Sequence, residues 1–62
     1  MPKEREVREV IRRLESEGWS SRHGKGSHLV FRKGSRTLTV PTSQRELPQG
    51  TYRAIAKQAG WL

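Results

Sequence analysis

The 62 residues carry 13 lysines and arginines against 6 acids and contain no cysteine, for a formal net charge of +7. That length allows one domain, read as residues 1–62, which buries only about 60% of the surface its unfolded chain exposes. The missing cysteines exclude a disulfide framework and a thiolate metal site, and no apolar run approaches the roughly 20 residues of a membrane-crossing helix.

In chain order, residues 3–17 are predicted to form a helix. Val7, Val10, Ile11 and Leu14 recur at i, i+3, i+4 and i+7 as one apolar stripe. Glu4 with Arg8 and Glu9 with Arg13 stand at i,i+4 and compensate one another on the polar side. Gly18 is placed to stop the helix in the left-handed conformation, with Trp19 folding back on the stripe. Met1-Pro2-Lys3-Glu4 leads directly into this helix, so no leader peptide is expected.

Trp19–His23 reads as a first strand, with Gly24-Lys25-Gly26 as its turn. Ser27–Arg32 is the second strand, Lys33-Gly34-Ser35-Arg36 the next turn, and Thr37–Val40 the third strand, ended by Pro41. Alternation puts Ser27, Leu29 and Phe31 on one face and His28, Val30 and Arg32 on the other. Residues 42–47 read as a polar connector. A last helix over Gln49–Ala59 repeats the stripe at Tyr52, Ile55, Ala56 and Ala59; Gly60 stops it, and Trp61 and Leu62 are expected to close over the core edge. The fold class is therefore α+β: a helix, three antiparallel strands and a helix, with both helices on one face of the sheet. The opposite face stays open and presents His28 and Arg32, with Arg22 or His23 from the neighbouring strand.

The charge is unevenly spread. The acids are Glu4, Glu6, Glu9, Glu15, Glu17 and Glu46, so the stretch holding Arg22, Lys25, Arg32, Lys33, Arg36 and Arg45 has no acid to balance it. An uncompensated basic region on so small a domain points to a polyanion, usually nucleic acid. Within it lies Gly26-Ser27-His28, one imidazole directly after a glycine turn. Imidazole is the side chain that moves a proton near neutral pH, so this pairing of base and cations is suited to a phosphodiester. The two histidines and scattered glutamates lack metal-ligand spacing; neither metal nor cofactor is expected, and the chain reads as cytoplasmic.

These residues resemble the HicA family of toxins from type II toxin–antitoxin systems over nearly the whole chain. The likeness rests on Gly18-Trp19, Arg22, Gly26-Ser27-His28 with Phe31, Val40-Pro41, Leu47-Pro48-Gln49-Gly50-Thr51, and Ile55 with Gln58-Ala59-Gly60. It implies a fold like the double-stranded-RNA-binding domain, endoribonuclease activity on mRNA (an mRNA interferase), and neutralisation by a HicB-like antitoxin. It also implies that His28 is the essential strand histidine. Many members carry a further histidine shortly after the Val-Pro pair, where this chain has Thr42 and Ser43.

The chemistry implied is metal-free attack by the RNA's own 2′-hydroxyl, with His28 as general base. Arg22, Lys25, Gly26, Ser27, Arg32, Lys33 and Arg36 are the candidate RNA-binding residues. Two hairpin registers remain open. A Gly24-Lys25-Gly26 loop sets Arg22 across from His28; a Lys25-Gly26 loop sets His23 there. The first is favoured, because Arg22 belongs to the resembling set and His23 does not. Trp19 and Trp61 read as core-edge residues, and Arg45, Arg53 and Lys57 as part of a partner-facing surface. The competing functions are a non-catalytic RNA-binding module of the same fold and, behind it, a small basic DNA-binding regulator.

Overall fold

The computed structural model describes residues 3–62, so Met1 and Pro2, from which the absence of a leader was read, lie outside the described residues. The elements follow the order α1 (Val7–Ser16), β1 (Ser20–His23), β2 (His28–Lys33), β3 (Arg36–Pro41) and α2 (Gln49–Ala59). The strands form one antiparallel sheet in the order β1-β2-β3. Among the described residues no helix is long and apolar enough to cross a membrane.

Side-chain alternation explains the layering. Phe31 pairs with Leu38 and Leu29 with Val40, so these four share one sheet face. Against it pack Val7, Val10 and Leu14 of α1 and Ile55 of α2, with Ile11, Tyr52, Ala59 and Trp61 at the margin. Phe31, Leu14 and Val40 are fully excluded from solvent. The other face stays open, and this is the expected α+β arrangement, consistent with a double-stranded-RNA-binding-domain-like fold. Both helix stops are as expected. Gly18 and Gly60 take φ of +94° and +85°, and Trp19 N–H and Trp61 N–H donate back to Leu14 O (3.0 Å) and Ala56 O (2.8 Å).

The strand ends shift by one residue from expectation, with Pro41 inside β3 rather than after it, and three larger features differ. Helix α1 begins at Val7 rather than Lys3. Val7 N–H donates to Arg45 O (2.9 Å) and Leu47 N–H to Arg5 O (2.8 Å), an antiparallel bridge centred on Glu6 and Glu46. Such a bridge needs extended backbone, and Glu6 has it at φ −66°, ψ 134°. Second, the connector is not wholly polar, because Leu47 is buried to 1% exposure and belongs to the core. Third, Leu62 does not close the core edge and is 68% exposed. Trp61 takes that place, its indole N–H donating to Glu17 Oε1 at 2.8 Å, with the Arg13 guanidinium 4.1 Å from the ring centroid.

Glu17 lies at the C-terminus of α1, where a negative charge opposes the helix dipole. The Trp61 indole N–H and then Arg13 offset this and hold its carboxyl below the ordinary carboxylate range, with a smaller contribution from Lys33. The ends of the two helices are thereby tied together.

Candidate functional site

The open sheet face is organised by the β1–β2 hairpin. Gly24 N–H donates to His28 O at 2.9 Å, which closes a loop of Lys25, Gly26 and Ser27. Pairing then continues as His23 with Leu29, Arg22 with Val30 and Ser21 with Phe31. Neither expected register occurs: the loop has three residues, but it begins one position later, and Gly24 stands across from His28.

The cause is a division of labour between the glycines. Gly26 takes the left-handed φ of +61° that the turn requires, whereas Gly24, the residue after β1, is not among the positive-φ glycines and bonds to His28 O. A Cβ on Gly24 would lie 3.1 Å from Val30 Cγ2 and 3.4 Å from His28 O, so a side chain here would crowd Val30 where the glycine leaves the two chains room to approach. Arg22 consequently keeps the expected face but sits opposite Val30, diagonal to His28. His23 pairs with Leu29 and belongs to the helix-side face.

The His28 ring is oriented by its own turn. Its Nδ1 lies 3.0 Å from Lys25 O. A carbonyl can only accept, so Nδ1 carries the hydrogen and the neutral ring keeps its lone pair on Nε2. The residue is exposed on the open face, so that nitrogen can reach a bound polymer. On its other side the turn is pinned by the residue that follows β3, since both Thr42 N–H (2.6 Å) and Thr42 Oγ1 (2.7 Å) donate to Ser27 O. Across the sheet His28 faces Pro41.

Not all expected contact residues meet at the histidine. Arg22 and Arg32 share its face, and Lys25, Gly26 and Ser27 form the adjoining turn. Lys33 and Arg36 pair with each other at the far end of the β2–β3 hairpin, on the helix-side pleat. Lys33 Cε lies 3.9 Å from where a Cβ on Gly18 would be, and Arg36 Nη1 lies 3.8 Å from the same position on Gly60. Lys33 lies five positions beyond His28, about 17 Å along a strand. The basic set is thus split into one group on the His28 face and its turn, with Arg22 and Lys25 nearest, and one on the helix-side pleat at the far end of the hairpin.

The surface grooves lie elsewhere. One is lined by Glu4, Arg5, Glu46, Gln49, Tyr52 and Arg53, and another runs between β3 and α2. A histidine on an open sheet suits a polymer laid across it better than a small molecule enclosed in a pocket. Thr42 is the site residue that sequence reasoning missed. The signal was available: the two-residue turn at Gly34-Ser35 pairs Lys33 with Arg36, and counting back along that register sets Ser27 opposite position 42.

The chain matches the family model described as the HicA toxin of bacterial toxin–antitoxin over residues 7–61. The chain belongs to the HicA toxin family. A search of curated proteins finds no match to it. Membership makes it a toxin of a bacterial toxin–antitoxin pair, from a family whose members generally cleave mRNA, and it implies an antitoxin partner. The matched span contains the hairpin, His28 and Thr42.

Proposed function

We propose that this HicA-family chain acts over residues 1–62 as a cytoplasmic, metal-independent endoribonuclease of a type II system, cleaving mRNA with His28 as general base. The observation that carries this reading is the 3.0 Å contact of His28 Nδ1 with Lys25 O, which leaves Nε2 as the acceptor on an exposed, basic face. RNA supplies its own nucleophile. His28 Nε2 takes the proton of the 2′-hydroxyl, and the 2′-oxygen attacks the adjacent phosphorus. The P–O5′ bond breaks and the 5′-oxygen takes a proton from solvent, leaving a 2′,3′-cyclic phosphate and a free 5′-hydroxyl. Arg22 stabilises the charge developing on the non-bridging oxygens, and Arg32, four positions along the same face, holds a neighbouring phosphate. Lys25 and the backbone of Gly26 and Ser27 hold the phosphate beside the base, while Lys33 and Arg36 attract more distant phosphates without regard to sequence. A HicB-like antitoxin inhibits by covering the His28 face.

The test compares the purified chain with its His28→Ala variant on labelled single-stranded RNA in EDTA, identifying the fragment ends. Cyclic-phosphate ends are expected from the wild type, with a loss of roughly 10²–10⁴ in rate for the variant. DNA of the same sequence binds and is not cut, because it lacks the 2′-hydroxyl. Equal cleavage by both proteins removes His28 from the mechanism. Salt-dependent binding with no cleavage by either transfers the chain to the RNA-binding-module reading.

A further inference from the structure

We propose that Thr42 is a positioning residue for His28, acting through the Ser27 carbonyl. The inference rests on the reading of His28 as the base. The Lys25-Gly26-Ser27 loop has glycine at its centre in the left-handed conformation, so its own backbone does little to restrict it. Yet the imidazole takes its orientation from this loop, through Lys25 O. Gly24 N–H to His28 O holds the loop's base. The second anchor is Thr42, which directs two donors, N–H at 2.6 Å and Oγ1 at 2.7 Å, into the single carbonyl of Ser27.

Two donors on one carbonyl occupy both lone pairs and fix the plane of the Ser27–His28 peptide, where one donor would leave it free to tilt. Tilting that peptide moves Lys25 O away from Nδ1. The ring is then free to rotate or to exchange its tautomer, and the fraction with a lone pair on Nε2 toward the substrate falls. The preceding residue supports this assignment. Pro41 sits opposite His28 at a non-hydrogen-bonded position of the ladder, so the backbone tie to β2 at this end falls to the next pair, Ser27 with Thr42. Ser43, which follows, has no hydrogen bond in this ladder among the described residues. The hydroxyl is therefore part of how the base is aimed, although it touches no substrate.

The experiment uses the whole chain with Thr42→Val, which keeps the shape and the N–H but removes the hydroxyl, and Thr42→Ser, which restores it. Two quantities are measured: steady-state cleavage of single-stranded RNA, and the ¹⁵N shifts of the His28 ring nitrogens in the RNA-free protein. Thr42→Val is expected to lower kcat three- to tenfold, the size of one hydrogen bond to a backbone carbonyl, with KM unchanged. Its ring-nitrogen shifts should move from the Nδ1–H tautomer toward the exchange average, and Thr42→Ser should return both readings to wild type. Wild-type kcat and shifts in Thr42→Val overturn the proposal, as does a Thr42→Ser variant as impaired as Thr42→Val. If His28→Ala cuts as well as wild type, the base assignment fails, and the nitrogen shifts alone then decide whether Thr42 holds the ring.

Discussion

The split of the basic residues predicts that cations of equal charge contribute unequally to the chemical step. Arg22 pairs with Val30, which makes it a diagonal neighbour of His28 at about 7 Å between Cβ atoms. Taking that spacing as the separation between the guanidinium and the reacting phosphoryl group, a unit charge about 7 Å away is worth ~0.6 kcal/mol in a fully aqueous field and ~2.4 kcal/mol at an effective dielectric of about 20. Those limits correspond to roughly threefold and 50-fold in rate. Arg22 is exposed, so screening brings the expected loss for Arg22→Gln to the lower part of that range, about three- to tenfold in kcat. Lys33 and Arg36 act from about 17 Å. At that distance the aqueous interaction is ~0.2 kcal/mol before salt, and a Debye length of about 8 Å at physiological ionic strength reduces it below ~0.1 kcal/mol. Lys33→Gln and Arg36→Gln should therefore leave single-turnover kcat at saturating RNA unchanged. They should instead lower affinity and reduce the salt slope of binding by about 0.7 for each lost phosphate contact. Equal kcat losses for Arg22→Gln and Lys33→Gln would refute the division, as would an Arg22→Gln variant that cuts at the wild-type rate.

Two further predictions concern what holds this face in place. Leu47→Ala empties a fully buried core position and should cost about 2–5 kcal/mol. A domain of this size has only about 3–9 kcal/mol in total, so calorimetry should show Tm falling by at least ~10 °C; a fall below ~3 °C would mean that Leu47 is not part of the core. Glu17, with its carboxyl held below the ordinary range chiefly by the Trp61 indole N–H, adds stability that is present above the ordinary carboxylate pKa and is lost as pH falls through the lowered value. Trp61→Phe should raise the Glu17 midpoint in a ¹³C-carboxyl titration, and an unmoved midpoint would remove the indole as its cause.

The fold was legible because each element carries its own period. The i, i+3, i+4, i+7 stripes of α1 and α2 and the alternation in Thr37–Val40 need no tertiary information, and Gly18 and Gly60 mark helix ends by a conformation that glycine adopts without strain. What escaped depended on long-range pairing. The start of α1 is set by residues 45–47, which hydrogen-bond to residues 5–7 across the molecule, and nothing local to Lys3–Glu6 signals it. Leu47 was missed for the same reason: a single leucine among polar neighbours has no period to betray that it is buried. Leu62 erred in the opposite direction, since an apolar residue next to a core tryptophan need not follow it inward.

The site divides along the same line, with a chemical consequence. Residue type and face were readable: the even positions of β2 put His28 and Arg32 together, and either three-residue loop leaves Arg22 beside them. Which group stands opposite His28 was not readable, because two glycines flank Lys25 and either can make the turn. The structure gives the turn to Gly26 and the close approach to Gly24. A bare glycine opposite His28 keeps a second imidazole off that position. It also shifts the orienting contact from a side chain to the backbone, at Lys25 O and, through Ser27 O, at Thr42. A backbone acceptor has no residue identity of its own. The part of the machinery that aims the histidine therefore leaves no motif in the sequence, and only the register of three strands exposes it.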